Sequence, residues 1–267
     1  MALKYNNTTV NKVMYGNTEI KEFNVNGIEV FNAKKPYEDY LNSSTISESD
    51  FLDKVNTTDV FDDINPSTNL PYAKDFIGKR VRLTHPYRFI YWAIIGYNHD
   101  STRYTFDLMS SVSMYDSEQF AQTSRNYINS KVRTKVNNDM IDGFSSEVQS
   151  KLQAMNVVSN GSTLKDKAKL LSLTEMGITS GNYHPGVEGN AYSNYFTSGR
   201  STEQTYSDLI RKNTSGTAVG YWTRSICTAY DYTLWSINSE GWVNYNVPNN
   251  YSRSILPVIR IGTYDSK

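Results

Sequence analysis

Apolar and polar residues alternate along the middle of the chain with the period expected of β-strands. Residues 79–85, 88–97 and 103–110 are each a run of this kind, and an Asn-His-Asp-Ser turn joins the second run to the third. Successive side chains of a strand point to opposite faces, so these runs are typical of a sheet with one buried face. The pattern predicts three neighbouring strands.

Helical spacing occurs on both sides of these strands. Ser47 and Asp50 have the spacing of a helix cap, and apolar residues follow them at helical intervals. Further along, apolar residues recur every four positions over 128–140, and a capping box that begins at Ser146 precedes an apolar face reaching Met155. We therefore predict several short helices.

The last third of the chain returns to short strands. Residues 169–174 and 254–261 predict strands, whereas residues 202–212 predict a helix. Between them, the Gly-, Asn-, Ser- and Tyr-rich residues 179–199 form a long loop, which is either functional or mobile. The order of strands, helices and strands predicts an α+β fold with a mainly antiparallel sheet.

The first 35 residues form a separate module in this interpretation. Residues 15–23 and 25–31 are a near-repeat in which an Asn-containing turn signal precedes an alternating run, as in β-hairpins. About thirty residues cannot bury a stable core alone, so residues 1–35 must dock on something else. Residues 36–71 predict a polar linker with short helices, and residues 72–267 predict the main domain.

The overall charge excludes two classes of partner. Lys plus Arg equals Asp plus Glu at 27 each, so the chain has no basic footprint for nucleic acid or anionic lipid. Its apolar runs are only a few residues long, and its first residues do not resemble a secretory signal, so we expect no membrane insertion. The single Cys227 cannot form an intrachain disulfide, as expected of a chain that folds in a reducing cytosol.

Residues 221–251 have the composition of a contact surface. They contain five Tyr, three Trp and five Asn but only three charged residues. Tyr and Trp offer rigid amphipathic area and Asn offers adaptable hydrogen bonding, which is the mixture of antibody-like binding surfaces. The predicted ligand-binding residues are Tyr230, Asp231, Tyr232, Asn244, Tyr245, Asn246, Asn249, Asn250 and Tyr251.

Ordinary packing is the competing interpretation of the same segment. Sheets in general are rich in Tyr and Trp, and Asn clusters mark turns. Taken one at a time, Trp222, Trp235 and Trp242 are expected to be core or half-buried residues rather than ligand contacts. The binding interpretation rests on the density of Tyr and Asn between them.

The chain carries no sequence signature of catalysis. Glycine-rich nucleotide loops, nucleophile elbows, HExxH and CxxC are all missing, and His85, His99 and His184 are widely spaced. We therefore expect no enzyme activity, no cofactor and no metal site. A glycosidase would need two carboxylates about 5–10 Å apart, which sequence alone does not reveal.

A family resemblance covers about residues 72–262. The landmarks IYWAIIGYNHD, YINSKVRTKVNNDM, DKAKLLSLTE, YWTRS, WSINSEGWV and ILPVIRI occur in this order. Together they resemble an uncharacterised domain of gut Firmicutes and their phages. That family resembles the C-type lectin fold, as do formylglycine-generating-type domains and the variable proteins made by diversity-generating retroelements.

The resemblance implies structural roles for three residues. Trp222 would pack in the core, Arg224 would hold backbone or carboxylate groups, and Gly241 would occupy a turn that needs positive φ. One departure concerns the end of the pattern, where residues 254–257 replace the usual Gly-Val-Arg-Pro and Arg260 follows later. The terminal loop is therefore expected to differ in geometry.

The N-terminal module carries a second resemblance. Its pattern K-V-x-Y-G-N-T-E-I-K-x-x-x-V-N-G-x-E-V is similar to the N-terminal segment of tail and baseplate-associated proteins of phages that infect Gram-positive bacteria. This implies a receptor-binding protein of a phage or prophage tail, located in the virion. Its expected partners are a bacterial cell-surface receptor, either protein or glycan, other tail proteins through the N-terminal module, and further copies of the chain.

Two alternatives to this function stay open, a tail-associated wall-polysaccharide hydrolase and a purely structural tail protein.

A further question concerns sequence variation. Retroelement mutagenesis acts at adenines, and residues 226–232 together with the later Asn and Tyr clusters are the kind of set that it leaves. A Tyr-rich lectin-like sheet without diversification explains the same residues.

Overall fold

The computed structural model describes residues 36–86, 88–121 and 125–263, together with the backbone of the strands between Lys4 and Asn32. The side chains of Arg88 and Ser101 lie outside this description. The chain forms two compact units, Met1–Asn42 and Ser43–Lys267. Each unit is built from its own short elements.

In its described residues, the smaller unit has three antiparallel strand pairs followed by a 3₁₀ helix, Pro36–Tyr40. The hairpins predicted from the near-repeat are present as the second and third pairs, and their turn residues at 16–17 and 26–27 lie outside the described residues. The six strands are β1 Lys4–Tyr5, β2 Thr8–Thr9, β3 Val13–Tyr15, β4 Thr18–Ile20, β5 Glu22–Val25 and β6 Ile28–Asn32.

The larger unit combines many short strands with short helices. Its first strands are β7 Thr45–Ser47, β8 Ile64–Asn65, β9 Leu70–Pro71, β10 Arg80–His85, β11 Arg88–Tyr97, β12 Thr105–Ser110, β13 Tyr115–Gln119, β14 Met155–Ser159, β15 Ser162–Asp166 and β16 Ala168–Leu170. The remaining strands are β17 Ile178–Ser180, β18 Arg200–Ser201, β19 Arg211–Lys212, β20 Ala218–Val219, β21 Tyr221–Ile226, β22 Leu234–Ile237, β23 Val243–Asn246, β24 Ser252–Ile255 and β25 Pro257–Gly262.

The helical segments of this unit are short, but two α-helices run directly into π-helices, and residues 131–142 are helical without a break, as the apolar spacing over 128–140 predicted. The α-helices are α1 Glu48–Asp50, α2 Thr58–Asp62, α3 Lys131–Lys135 and α4 Ser146–Lys151. The π-helices are Phe51–Val55 and Val136–Met140, and the 3₁₀ helices are Tyr72–Phe76, His99–Ser101, Tyr127–Asn129, Thr174–Met176 and Ser207–Leu209. No helix in the described part of the chain is long and apolar enough to cross a membrane.

The largest sheet has six strands in the order β16-β25-β12-β11-β10-β7. All its pairings are antiparallel except that of β10 with β7. In β10, Val81 and Leu83 are buried while Arg80 and Arg82 are exposed, which is the alternation predicted for this run. The three strands predicted at 79–85, 88–97 and 103–110 are therefore confirmed.

A second sheet has five strands in the order β13-β24-β21-β22-β23, with only β21 and β24 parallel. Ala93 and Met109 of the six-stranded sheet share one hydrophobic cluster with Tyr221, Trp235 and Val243 of the five-stranded sheet. One core therefore joins the two sheets. Helices with two mainly antiparallel sheets confirm the predicted α+β class.

Residues 43–71 lie within the segment predicted to be a polar linker. They contribute β7 to the six-stranded sheet and bury Phe51 and Phe61. Both rings contact Phe106 of β12, with centroids 5.8 and 4.7 Å apart. The predicted cap is present, since the Ser47 hydroxyl accepts a hydrogen bond from the Asp50 backbone N–H at 3.2 Å.

The helix predicted for residues 202–212 is wrong. Its backbone instead pairs with the β22–β23 hairpin: the Glu203 N–H donates to Val243 O at 3.1 Å and the Tyr206 N–H donates to Gly241 O at 3.0 Å. Only Ser207–Leu209 forms a 3₁₀ turn. Polar Ser and Thr residues are weak helix formers, so tertiary pairing outweighs the apolar spacing.

Two further elements differ from the prediction. The run 169–174 forms a strand only up to Leu170 and then a 3₁₀ turn, because the Glu175 backbone is anchored to the Ser172 hydroxyl at 3.1 Å. The helix predicted to reach Met155 ends at Lys151, and Met155 begins the β14–β15 hairpin. The position of Met155 fits the helical spacing of the preceding residues only by chance, because this residue belongs to a strand.

Candidate functional site

Four tyrosines form one surface cluster on the larger unit. The rings of Tyr230 and Tyr232 are stacked with centroids 6.0 Å apart, and the Tyr245 ring lies 6.0 Å from that of Tyr230. The Tyr183 ring meets Tyr245 edge to face at 6.5 Å. Tyr183, Tyr230 and Tyr232 are 48, 49 and 60 % exposed. These four residues are called the tyrosine cluster below.

Trp235 supports this cluster from the core. It is fully buried and lies directly opposite Tyr245 in the β22–β23 pairing, where the two rings meet edge to face at 5.4 Å. Its indole N–H donates to the Tyr183 carbonyl at 3.3 Å. One core residue therefore contacts a ring and a main-chain segment of the cluster, so exposed rings are positioned by buried ones.

Residues 227–233, the loop between β21 and β22, carry Tyr230 and Tyr232. Arg125 holds this loop, because its Nη1 donates to the carbonyls of Cys227 at 2.9 Å and Tyr230 at 2.6 Å. Its Nη2 lies 3.6 Å from the exposed Asp231 carboxylate. The two carbonyl bonds fix the loop, whereas an exposed ion pair contributes little to stability.

Tyr183 has a backbone conformation that bulky residues rarely adopt. Its φ is 59°, in the left-handed region that favours glycine or asparagine. Such a conformation costs about 1–3 kcal/mol and persists only where the surroundings enforce it. Here the Thr228 N–H donates to the Tyr183 carbonyl at 3.2 Å. The strain is not offset by burial of the ring, which is half exposed.

The tyrosine cluster presents aromatic rings together with hydroxyl groups. Loss of contact with water and the neighbouring Tyr230 raise the pKa of the Tyr245 hydroxyl above its ordinary value of 10.0. The surface can therefore stack apolar faces of a ligand on its rings and exchange hydrogen bonds through hydroxyl groups. Such a surface suits binding, and the raised pKa of Tyr245 makes its phenol a still weaker acid.

Two of the predicted asparagines lie on the other face of β23 from Tyr245. Asn246 is buried and its amide donates to the Ser236 hydroxyl at 2.7 Å. Asn244 is partly buried and its side-chain oxygen accepts the Tyr245 backbone N–H at 2.7 Å. Side chains two positions apart share a face of a strand, so these amides lie away from the tyrosine ring between them.

The predicted residues Asn249, Asn250 and Tyr251 form an exposed segment ahead of β24. The Tyr251 ring lies 5.6 Å from the guanidinium of Arg253. Among the described residues, no ring contact joins Tyr251 to the tyrosine cluster. The structure thus brings three predicted tyrosines together and places this segment apart from them.

Trp222 and Gly241 have the surroundings expected of structural residues. Trp222 is fully buried, its ring centroid lies 5.8 Å from that of Phe120, and its indole N–H donates to Glu118 O at 2.8 Å. Gly241 has a φ of 83°, and an added Cβ would lie 2.3 Å from the Tyr206 carbonyl oxygen. A side chain at that position would meet both strain and a backbone clash. Trp242, which follows, is exposed at 41 %, so the core or half-buried position expected for it is wrong.

Arg224 is the centre of a fully buried polar network. Its guanidinium donates to the carbonyls of Val158 at 3.0 Å, Leu170 at 2.6 Å and Glu188 at 2.9 Å, and it forms an ion pair with Glu175. Five donors in a fixed fork suit this combination of carbonyls and a carboxylate. The network ties β21 to β14 and β16.

The two carboxyl groups of this network have opposite pKa shifts. Burial alone would raise the pKa of Glu175, but Arg224 and Lys169, whose Nζ lies 2.6 Å from it, hold that pKa at about 2. Burial raises the pKa of Glu188 above its ordinary value, because its hydrogen bond from Ser225 and the charge of Arg224 offset the loss of water only in part. Glu175 is therefore held in its ionised form as the counter-ion of Lys169 and Arg224.

A second buried network lies around Asp107. Arg260 binds it through two bonds of 2.6 and 2.8 Å, and the Tyr192 hydroxyl donates to it at 2.7 Å. The His99 ring stacks on Tyr192 at 3.9 Å, and burial lowers the pKa of His99. Arg260, which follows the departure from the family pattern, is thus a core ion-pair residue.

Within the described ranges, no group of three or more His, Cys, Asp or Glu side chains could hold a metal ion.

Two residues of the site were missed in the sequence. Tyr183 stands in the long loop 179–199, whose function the sequence left open, and Arg125 stands far from the aromatic segment. The sequence does contain one signal for Tyr183. It stands between Asn182 and His184 in a Gly-rich loop, where a large aromatic side chain is expected to be exposed and so to contact a ligand. Arg125 offers none, since its role depends on tertiary contact.

Residues 105–262 match the model of a protein family described as Domain of unknown function (DUF6273). The matched region runs from β12 to β25 and contains the tyrosine cluster, the Arg224 network, and Asp107, Tyr192 and Arg260 of the second network. No curated protein and no solved structure matches the chain.

Proposed function

This chain belongs to the DUF6273 family, and we propose that it is a non-catalytic binding protein that engages its ligand through the tyrosine cluster. The observation that carries the proposal is the cluster itself: four rings in contact, three of them about half exposed. Rigid aromatic area with hydroxyl groups at its edge is the usual material of a recognition surface. Folding alone does not require it.

Strain at Tyr183 supports the same proposal. A residue with a φ of 59° could be replaced by asparagine or glycine at a gain in stability, yet a tyrosine with a half-exposed ring stands there. Strained backbone of this kind collects at sites that hold ligands. The ring therefore has a use outside the folded core.

The state of the buried carboxylates favours binding over catalysis. Glu175 is held ionised between two cations, and Asp107 is bound by the Arg260 guanidinium and the Tyr192 hydroxyl. A general acid needs a raised pKa and access to substrate. A fully buried carboxyl with a pKa of about 2 has neither, and Glu188, whose pKa burial raises, is itself buried and so lacks access to substrate.

The proposed ligand is a bacterial cell-surface receptor, either protein or glycan, and the proposed setting is the tail of a phage or prophage. The resemblance of the landmark segments to a domain with a C-type-lectin-like fold supports this, with the loop 227–233 and the β22–β23 hairpin presenting the rings. The resemblance of the N-terminal pattern to tail proteins supports attachment through residues 1–35. Association of several copies of the chain in the virion belongs to the same proposal.

Deleting residues 1–35 is expected to leave the larger unit folded and able to bind, but unable to join the native oligomer or the virion. Unit Ser43–Lys267 contains both large sheets and the shared core, whereas small hairpins are marginal in water without a partner. Size-exclusion chromatography with light scattering compares the two chains. A deletion variant that aggregates or unfolds would show that residues 1–35 complete the main core and would refute the attachment role.

Replacing Tyr183 by asparagine is expected to weaken binding to bacterial cells about tenfold while raising the free energy of unfolding by up to about 1 kcal/mol. Asparagine tolerates the left-handed region, so the strain is relieved as the ring is lost. Tyr183→Ala is the matched control, because it removes the ring and keeps the strain. Flow cytometry with labelled protein and urea unfolding measure the two effects. Unchanged binding by both variants would exclude Tyr183 from the site.

A further inference from the structure

A cleft of about 520 Å³ lies on the six-stranded sheet, between the exposed side of β10 and β11 and residues 210–216. Its apolar inner side includes Ala93 and Met109, and Tyr91 and Tyr195 add aromatic surface. Clefts of this size hold small molecules. None of the tyrosine-cluster residues lines it, so it is a separate site.

Three cations line this cleft, namely Arg80, Arg211 and Lys212. No Asp or Glu side chain is among the described lining residues. Arg211 Nη1 donates to the carbonyls of Asp208 at 2.6 Å and Ile210 at 3.0 Å. These two hydrogen bonds orient the guanidinium. Three positive charges without a neighbouring lining carboxylate are unusual on a chain whose net charge is zero. The concave shape of the cleft strengthens the positive electrostatic potential of these three side chains.

The sheet explains why these groups converge. Arg80 lies opposite Ala93, which lies opposite Met109 in the next strand, so the three side chains point to the same side of the sheet. Tyr91 precedes Ala93 by two positions and therefore shares this face. The small Ala93 leaves space between the larger Arg80 and Tyr91. The depth of the cleft, one of its three cations and one of its two tyrosines thus follow from one register, whereas Arg211, Lys212 and Tyr195 come from other segments.

We propose that this cleft binds a phosphorylated sugar or polyol. A phosphate dianion offers several oxygen acceptors in a tetrahedral arrangement, which suits donors from three side chains better than a singly charged planar carboxylate does. The tyrosine rings and the apolar inner side provide contact for the carbon skeleton. The site is additional to the receptor-binding surface proposed above and does not depend on it.

Titration of the full chain with glycerol 3-phosphate and glucose 6-phosphate by isothermal calorimetry tests this proposal. Glucose, glucuronate, inorganic phosphate and a short single-stranded oligonucleotide are the comparison ligands. We expect binding of the two phosphate esters and at least tenfold weaker binding of each comparison ligand. Equal or tighter binding of inorganic phosphate, glucuronate or the oligonucleotide would overturn the proposal, as would the absence of binding.

Variants locate the binding. Arg80→Gln combined with Lys212→Gln is expected to weaken phosphate-ester binding at least tenfold, and Tyr91→Ala is expected to weaken it several-fold. Lys165→Gln combined with Lys167→Gln removes the same charge from exposed positions outside the cleft and should leave binding unchanged. All these side chains are exposed, so circular dichroism should show an intact fold. Equal losses in both double variants would show a non-specific charge effect and refute the site.

Discussion

Replacing Glu175 by glutamine is expected to lower the free energy of unfolding by about 3–5 kcal/mol at pH 7. The carboxylate is the counter-ion of Lys169 and Arg224, and all three side chains are fully buried. Removing the negative charge leaves two cations without compensation in a medium that solvates them poorly. The backbone N–H of Ser172, which donates to Glu175 at 3.0 Å, keeps a neutral acceptor, so the loss comes from charge.

Glu188→Gln is the matched control for this change. Glu188 is also buried and belongs to the same network, but burial raises its pKa, so its ionised form is disfavoured in the folded state. The amide oxygen of glutamine can still accept the hydrogen bond from Ser225, and the bond that its NH2 group would replace is the long one of 3.3 Å from the Asn160 backbone N–H. We expect the free energy of unfolding to stay unchanged or to rise at pH 7. Equal losses in the two variants would contradict the proposed charge balance.

The effect of pH distinguishes the Glu175 variant from a simple packing defect. The pKa of Glu175 is 4.5 ordinarily and about 2 in the folded chain. A carboxyl with a lowered folded pKa stabilises the protein above its unfolded pKa, and this contribution is lost as pH falls from about 4.5 to about 2. The difference between the parent chain and Glu175→Gln should therefore shrink in that window. Urea unfolding at pH 7, 4.5 and 3 measures it.

The sequence was informative wherever local pattern and tertiary environment agree. Period-two alternation predicted β10 because one face of that strand is buried and the other exposed, whereas β12 is buried on both faces and was predicted from its continuous β-type run. The Ser47 cap was also predicted, since it depends on residues three apart. The α+β class followed from the order of such segments. Each of these features is decided within about ten residues.

The remaining features depend on contacts between distant segments. The helix predicted at 202–212 fails because the backbone pairs with residues 241–243, forty positions later. The tyrosine cluster joins Tyr183 to Tyr245 across more than sixty residues, and Arg125 reaches the loop 227–233 across a hundred. Composition predicted that residues 221–251 contain a contact surface. Composition could not predict which of these residues share a surface. In β23, for example, the side chain of Tyr245 points to one face of the strand and those of its two asparagine neighbours point to the other.

Replacing Tyr230 and Tyr232 together by serine is expected to weaken binding to bacterial cells by a factor of about 100 or more. Aromatic hot-spot residues contribute about 2 kcal/mol each, and 1.4 kcal/mol is a factor of ten in affinity. The two rings are exposed and stacked on each other, and the Arg125 bonds that hold the loop go to backbone carbonyls. The fold should therefore lose no more than about 0.5 kcal/mol per substitution.

Ligand binding by the exposed rings of Tyr230 and Tyr232 is tested with three labelled proteins. These are the parent chain, the Tyr230→Ser and Tyr232→Ser double variant, and a control with Phe89→Ser and Trp242→Ser, which removes two exposed aromatics outside the cluster. Affinity for whole cells from a panel of Gram-positive bacteria is measured by flow cytometry. We predict saturable binding to at least one strain by the parent and the control, and its loss in the tyrosine variant. Equal binding by all three proteins, or no saturable binding by the parent, would contradict the claim.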